Sequence, residues 1–229
     1  HQDNTTPIVV TSVLYHVGSK NENPERTGFA HFFEHLMFEG SENIDRGQYM
    51  NIIQSRGGTL NAYTSNDITY YYELLPSNEL DLALYMESER MLHSKVDITG
   101  VETQREVVKE EKRQRIDNQP YGSILTETLV RAYTVHPYRW APIGSLDHLN
   151  AATIEEFQQF YKDFYVPNNA TLTIAGDIDY AKTEDLVRQY FAEIPKGAKE
   201  IYRPNVIEPK KTAEVRDIVY DNIQIPAVI

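Results

Sequence analysis

The sequence predicts an α+β fold in which helices pack on one face of a mostly antiparallel sheet. Three observations lead to this prediction: a strand-like segment near the start, two strand-like segments joined by a short polar turn, and a late strand that follows a series of helical segments. Strands that are followed by clustered helices, and then by another strand and helix, are typical of a layered arrangement of this kind.

The first predicted elements have clear boundaries. The segment "IVVTSVLYHVGS" at 8–19 is rich in β-branched residues and ends at a Gly-Ser pair, which predicts a strand. Aromatic and aliphatic residues then recur at helical spacing after Thr27, which can cap the N-terminus of that helix. A second helix is predicted from Arg46 to Ser55, because a Gly-Gly pair follows it.

The rest of the chain is read in the same way. The segment 59–76 predicts two strands around a Ser-Asn-Asp turn, and a last strand is predicted at 170–179. Further helices are predicted at 78–93, 99–117, 121–133, 153–164 and 183–193. The segment 204–211 has the composition of a linker, and the run "RDIVYDNIQIPAVI" after it is strand-like with no closing element. We therefore expect the chain to be a fragment of a longer protein.

Composition excludes several classes of function. Lys and Arg number 22 against 34 Asp and Glu, which gives a formal charge of −12, and no basic cluster could neutralise several phosphates, so we expect no nucleic-acid partner. No apolar run approaches the roughly 20 residues that span a bilayer, so no transmembrane segment is predicted. The chain has no cysteine, and any metal must therefore be held by histidine and carboxylate side chains.

The run "GFAHFFEHLMFEG" at 28–40 places three polar groups inside an apolar helix. His31, Glu34 and His35 share one arc of about 100° on the helical wheel. Two imidazoles four residues apart can reach one divalent ion, with the carboxylate beside it, and the order H-x-x-E-H is a known inverted zinc-peptidase motif. A chance match to so short a pattern remains the alternative.

A catalytic zinc site needs a third protein ligand, and the helix "VETQREVVKEEKRQRI" offers several carboxylates. Glu111 falls between Val107 and Val108 on the wheel, whereas Glu106 and Glu110 lie on the charged side. A carboxylate on the apolar side is costly unless a cation meets it, which favours Glu111. That Glu111 instead pairs with a neighbouring or distant basic side chain stays open here.

Taken together, the runs "TGFAHFFEHLMFEGS", "GGTLNAYTSNDITYYYELLP" and "REVVKEEKRQ" make the chain resemble the pitrilysin and insulinase family of zinc metallopeptidases, which includes the mitochondrial processing peptidases. The resemblance covers essentially the whole chain. It implies that His31, His35 and Glu111 bind Zn²⁺ and that Glu34 is the general base. One position departs from many members, since Gln104 stands where they carry a second glutamate.

The resemblance also implies how a peptide substrate is held. In the family, the strand after the zinc helices is a sheet edge that pairs with the peptide backbone, which makes Leu60, Asn61, Ala62 and Tyr63 the binding candidates. An ordinary half-buried strand is the alternative for each of them.

The expected function is that of a zinc endopeptidase acting on peptides or unfolded segments, and the alternative is a noncatalytic partner subunit. Residues 1–203 would form the N-terminal catalytic domain, and 204–229 the linker and the start of a second, truncated half. In the family a second homologous half or subunit completes a chamber, so we expect the fragment alone to be poorly active. The sequence does not fix the compartment, and the resemblance to bacterial processing-peptidase-like members favours the periplasm or cell envelope.

Overall fold

A computed structural model describes all 229 residues. Four strands form one sheet: β1 (Ile8–Tyr15), β2 (Thr59–Thr64), β3 (Thr69–Pro76) and β4 (Ala170–Gly176). Eight α-helices accompany it: α1 (Phe29–Leu36), α2 (Tyr49–Ser55), α3 (Leu80–His93), α4 (Ile98–Lys112), α5 (Ile124–Ala132), α6 (Leu146–Ala151), α7 (Ile154–Phe164) and α8 (Tyr180–Phe191).

The sheet has the order β2-β3-β1-β4, and every pairing in it is antiparallel. β2 and β3 form a hairpin whose register runs from Thr59 opposite Leu74 to Thr64 opposite Thr69. β1 lies between β3 and β4, while β2 pairs only with β3. β2 therefore leaves one row of its backbone groups unpaired within the sheet.

Helices cover one face of the sheet, which confirms the predicted α+β class. Alternate residues of β1 and β3, among them Val13 and Tyr71, are fully buried against Phe32 and Phe33 of α1. A second apolar cluster joins the same sheet to α2, α3 and α8. Because α1 is packed between the sheet and α7, its face with the two histidines is directed away from the core centre, towards α4.

Several local predictions differ from the structure. α1 begins after Gly28, and the Thr27 hydroxyl instead contacts the His148 ring, so Thr27 is not the N-cap. The short helix α6 was not predicted. The predicted helix 99–117 ends as α4 at Lys112 and continues as one π-helical turn to Asp117. The strand-like residues 216–229 form no strand, because no partner edge meets them.

None of the helices has the length and apolar character that crossing a membrane requires.

Candidate metal and catalytic site

The start of α1 is set by the buried carboxyl group of Glu22 rather than by the side chain of Thr27. Glu22 accepts the backbone N–H groups of Gly28 and Ala30, each at 2.9 Å. Gly28 has a φ of 99°, a conformation that favours glycine, and a Cβ there would lie 3.0 Å from the Ile143 carbonyl oxygen. Burial raises the pKa of Glu22 to about 8, against the effect of these hydrogen bonds. The helix start, and with it the position of His31 in the first turn, is thereby defined.

Three side chains from two helices meet at one point. The Nε2 atoms of His31 and His35 lie 3.4 Å apart, and the Glu111 Oε2 atom lies 3.3 Å from the first and 3.1 Å from the second. Donor atoms bound about 2.0–2.1 Å from one tetrahedral zinc ion would lie about 3.3–3.4 Å apart. The separations and the two-nitrogen, one-oxygen donor set therefore fit a zinc ion with its fourth position open.

Glu111 is held as a carboxylate in this arrangement. Hydrogen bonds from His31 and then His35 hold the pKa of Glu111 well below its usual range. Its other oxygen, Oε1, lies 2.7 Å from Nη1 of Arg115, one turn further along the chain. Glu111 does pair with a neighbouring basic side chain, but only through Oε1. Its Oε2 atom is left for the site.

The neighbouring Glu110 points elsewhere. Its carboxylate accepts from Arg113 and Gln114, each at 2.8 Å, and its side chain is 49% exposed against 15% for Glu111. The wheel separates the two carboxylates in the same way, because α4 presents its apolar side to the core.

Glu34 lies beside the three ligand candidates but is not one of them. Its Oε2 atom accepts the hydroxyl of Thr64 at 2.7 Å. Sequence reasoning did not single out Thr64, although its place two residues after Ala62, on the helix-facing side of a strand, was a usable signal. The hydrogen bond that orients the Glu34 carboxylate therefore comes from the sheet, through Thr64.

The strand β2 carries the four substrate-binding candidates at its open edge. The Ser65 N–H donates to the Ile68 carbonyl at 2.8 Å, and alternation along the ladder then directs the peptide groups of Leu60 and Ala62 outward. The Ala62 N–H meets only the side-chain oxygen of Asn61, at 2.9 Å. Leu60 and Ala62 pack their side chains on the core, whereas Asn61 and Tyr63 are exposed on the other face. The edge therefore offers backbone groups to an extended peptide.

Gln104 makes no hydrogen bond to the three ligand candidates. Its side-chain amide donates to Glu39, which also pairs with Arg46. A glutamate at position 104 would place a second carboxylate next to Glu39, and the glutamine avoids that repulsion.

Comparison with known proteins gives matches to two family models. Residues 1–139 match the family model described as insulinase (peptidase family M16), and residues 151–228 match the one described as the peptidase M16 inactive domain. The zinc protease PqqE of Helicobacter pylori is 34% identical over 95% of this chain and 49% of its own length.

Solved structures show the same fold. A protease from Helicobacter pylori superposes with a TM-score of 0.86 at 34% identity, covering 90% of this chain and 50% of that one. The first half of the periplasmic protease PqqL from Escherichia coli gives a TM-score of 0.78 at 27% identity, covering 91% of this chain and 45% of that one. The chain spans about half the length of these relatives. On this evidence, the chain belongs to the insulinase family of peptidases, family M16, whose members use zinc.

Proposed function

We propose that this chain carries the metal-binding and catalytic half of a zinc endopeptidase. His31, His35 and Glu111 hold the zinc ion, and Glu34 is the general base. The observation that carries the proposal is the convergence of two imidazole nitrogens and one carboxylate oxygen at 3.1–3.4 Å from one another. Relatives named zinc proteases support the same function.

The residues divide the chemistry between them. Bound zinc lowers the pKa of water and polarises a carbonyl group. Glu34 takes a proton from the attacking water and later passes it to the leaving amine, since a carboxylate within reach of both can act in turn as base and acid. The Thr64 hydroxyl occupies one lone-pair direction of Oε2 and leaves Oε1 free for the proton.

The peptide pairs with β2 as an added strand. Its backbone bonds to the outward peptide groups of Leu60 and Ala62, while Asn61 and Tyr63 meet its side chains from the exposed face. Because backbone pairing tolerates many side chains, we expect broad sequence acceptance with a requirement for extended, unfolded segments.

The active enzyme also needs a second half, in the same chain or as a partner subunit. The relatives are about twice as long, and one of them is described as the first half of a periplasmic protease. By the same likeness we propose that the protein acts in the periplasm or cell envelope. The noncatalytic alternative is disfavoured, because His31, His35 and Glu111 converge and Glu34 is present next to His35 on the same helix.

Two measurements test the proposal. Zinc content after dialysis should be one ion per chain for the wild type and near zero for His35→Ala. A wild-type chain that takes up no zinc at saturation contradicts the proposal.

Hydrolysis of a quenched fluorescent peptide by the enzyme with its second half should fall about 10²–10⁴-fold in Glu34→Gln, which keeps its zinc. Glu110→Gln is the matched control and should change neither quantity. The fragment 1–229 alone should hydrolyse the peptide very poorly.

A further inference from the structure

We propose that Thr64 is a positioning residue for the general base, and that through it the strand that binds the peptide also sets the direction of Glu34. The inference rests on the proposed function. It begins from a single contact, in which the Thr64 hydroxyl donates to Glu34 Oε2 at 2.7 Å.

The contact follows from the strand geometry. Thr64 is the last residue of β2, and strand alternation puts its side chain on the same side as those of Leu60 and Ala62, facing α1. Threonine is stiff at χ1 because it is β-branched, so its hydroxyl has few other directions to take. The Thr64 hydroxyl therefore donates from a rigid side chain and not from a long flexible one.

The turn that follows Thr64 is anchored on several sides. Gly18 packs so closely on it that a Cβ there would lie 2.5 Å from backbone atoms of Ser65 and Asn66. Asp67 pairs with Lys20 and accepts the Tyr138 hydroxyl at 2.8 Å. These contacts hold the end of β2, so Thr64 cannot drift away from α1 without breaking them.

Three groups are thereby linked in one rigid unit: the outward peptide groups of β2, the Thr64 hydroxyl and the Glu34 carboxylate. The hydroxyl projects from the face of the sheet and not from its edge, so its removal leaves the outward backbone groups of β2 in place. Its loss should therefore lower kcat, through a misdirected carboxylate, and leave KM nearly unchanged. Zinc affinity should also stay unchanged, because the Thr64 hydroxyl donates to Glu34 and not to a ligand candidate.

The test compares Thr64→Val, which removes the hydroxyl but keeps the shape, with Thr64→Ser, which keeps the hydroxyl. In the zinc-loaded enzyme with its second half, we expect Thr64→Val to lower kcat about 10–100-fold, the value of one hydrogen bond to a charged group, with KM within about twofold. Thr64→Ser should restore most of kcat. Thr173→Val, an exposed residue of β4 at the opposite edge of the sheet, is the matched control and should match the wild type.

A double-mutant cycle separates this role from a structural one. Adding Thr64→Val to Glu34→Gln should cause no further loss, because the base it positions is gone. Wild-type kcat in Thr64→Val, or an equal loss in both backgrounds, overturns the inference while leaving Glu34 as base. Equal activity of wild type and Glu34→Gln overturns the proposed function, and this inference with it. If Thr64→Val does not fold, Thr64→Ala against Thr64→Ser makes the same comparison.

Discussion

The proposed metal site and the cluster around Arg90 both place acidic side chains around a cation position, but only the Arg90 cluster has its cation within the chain. Arg90 of α3 is fully buried, with Glu87 at 3.2 Å and Glu73 at 3.5 Å. Its guanidinium also lies 4.3–4.8 Å from the ring centres of Tyr71, Tyr49 and Phe38. Burial raises the pKa of both carboxyl groups above the usual range.

The side chains of the proposed metal site are partly exposed to solvent, whereas those of the Arg90 cluster are fully buried. The side chains of His31, His35 and Glu111 are 11%, 24% and 15% exposed, so an ion and a substrate can reach them. The two regions are connected, since Tyr71, which packs on Arg90, donates its hydroxyl to the Phe33 carbonyl of α1 at 2.8 Å. Arg90 is a permanent cation in the layer beneath the helix, and the proposed zinc ion would be an exchangeable cation above it.

The largest effect should come from removing the permanent cation. Arg90→Met leaves two buried carboxyl groups without their partner, and we expect a loss of about 3–5 kcal/mol in the free energy of unfolding. Urea denaturation measures this loss. Arg188→Met, on the exposed side of α8, is the control and should change stability by less than about 0.5 kcal/mol. A stable Arg90→Met would mean that the cluster is not a structural cation site.

Removing a carboxylate from the metal site should affect metal binding instead. Loss of even an outer partner of a metal ligand weakens affinity about 10–100-fold, so Glu111→Gln should weaken zinc binding by at least about 100-fold. Competition with a chelator gives the affinity. Glu110→Gln should bind zinc like the wild type, and the reverse result would transfer the ligand role to Glu110.

A third buried carboxyl group, Glu22, has neither kind of cation and should make stability depend on pH. Its pKa in the folded protein is about 8, above the ordinary value, so the folded state keeps a proton that the unfolded chain releases. Its contribution to stability is therefore complete below about pH 4.5 and is lost as the pH rises to about 8, by up to about 1.4 kcal/mol per pH unit.

Urea denaturation at pH 5 and pH 8 measures this dependence. The difference between wild type and Glu22→Gln isolates Glu22 from Glu73 and Glu87, whose raised pKa values act in the same direction. An identical pH dependence in the two proteins would show that Glu22 does not titrate in this range.

The smallest effect should be that of His35→Ala on the protein without zinc. Because the site is open and the imidazole is partly exposed, we expect a change of less than about 1 kcal/mol in the free energy of unfolding. With zinc at 100 times the dissociation constant, the wild type should gain about 2.7 kcal/mol and the variant nothing. A large loss in the zinc-free variant would make the metal site a structural element like the Arg90 cluster.

The sequence by itself determined the fold class, the place of most helices and strands, and the pairing of the two histidines with Glu34 on one arc. These features depend on local periodicity, and a helical segment of five residues already brings His31 and His35 to one side. The sequence also distinguished Glu111 from Glu110, because the residues of a helix themselves define which side of it is apolar.

Only the tertiary structure decided which distant groups meet. Thr27 is a good N-cap by residue type, yet the buried carboxyl group of Glu22 accepts the helix N–H groups, because the chain folds back on itself before α1. The contact of Thr64 with Glu34, and that of Arg90 with Glu73, likewise join different elements of the fold. Local patterns carry no information about such contacts, because they depend on how the helices and the sheet pack together.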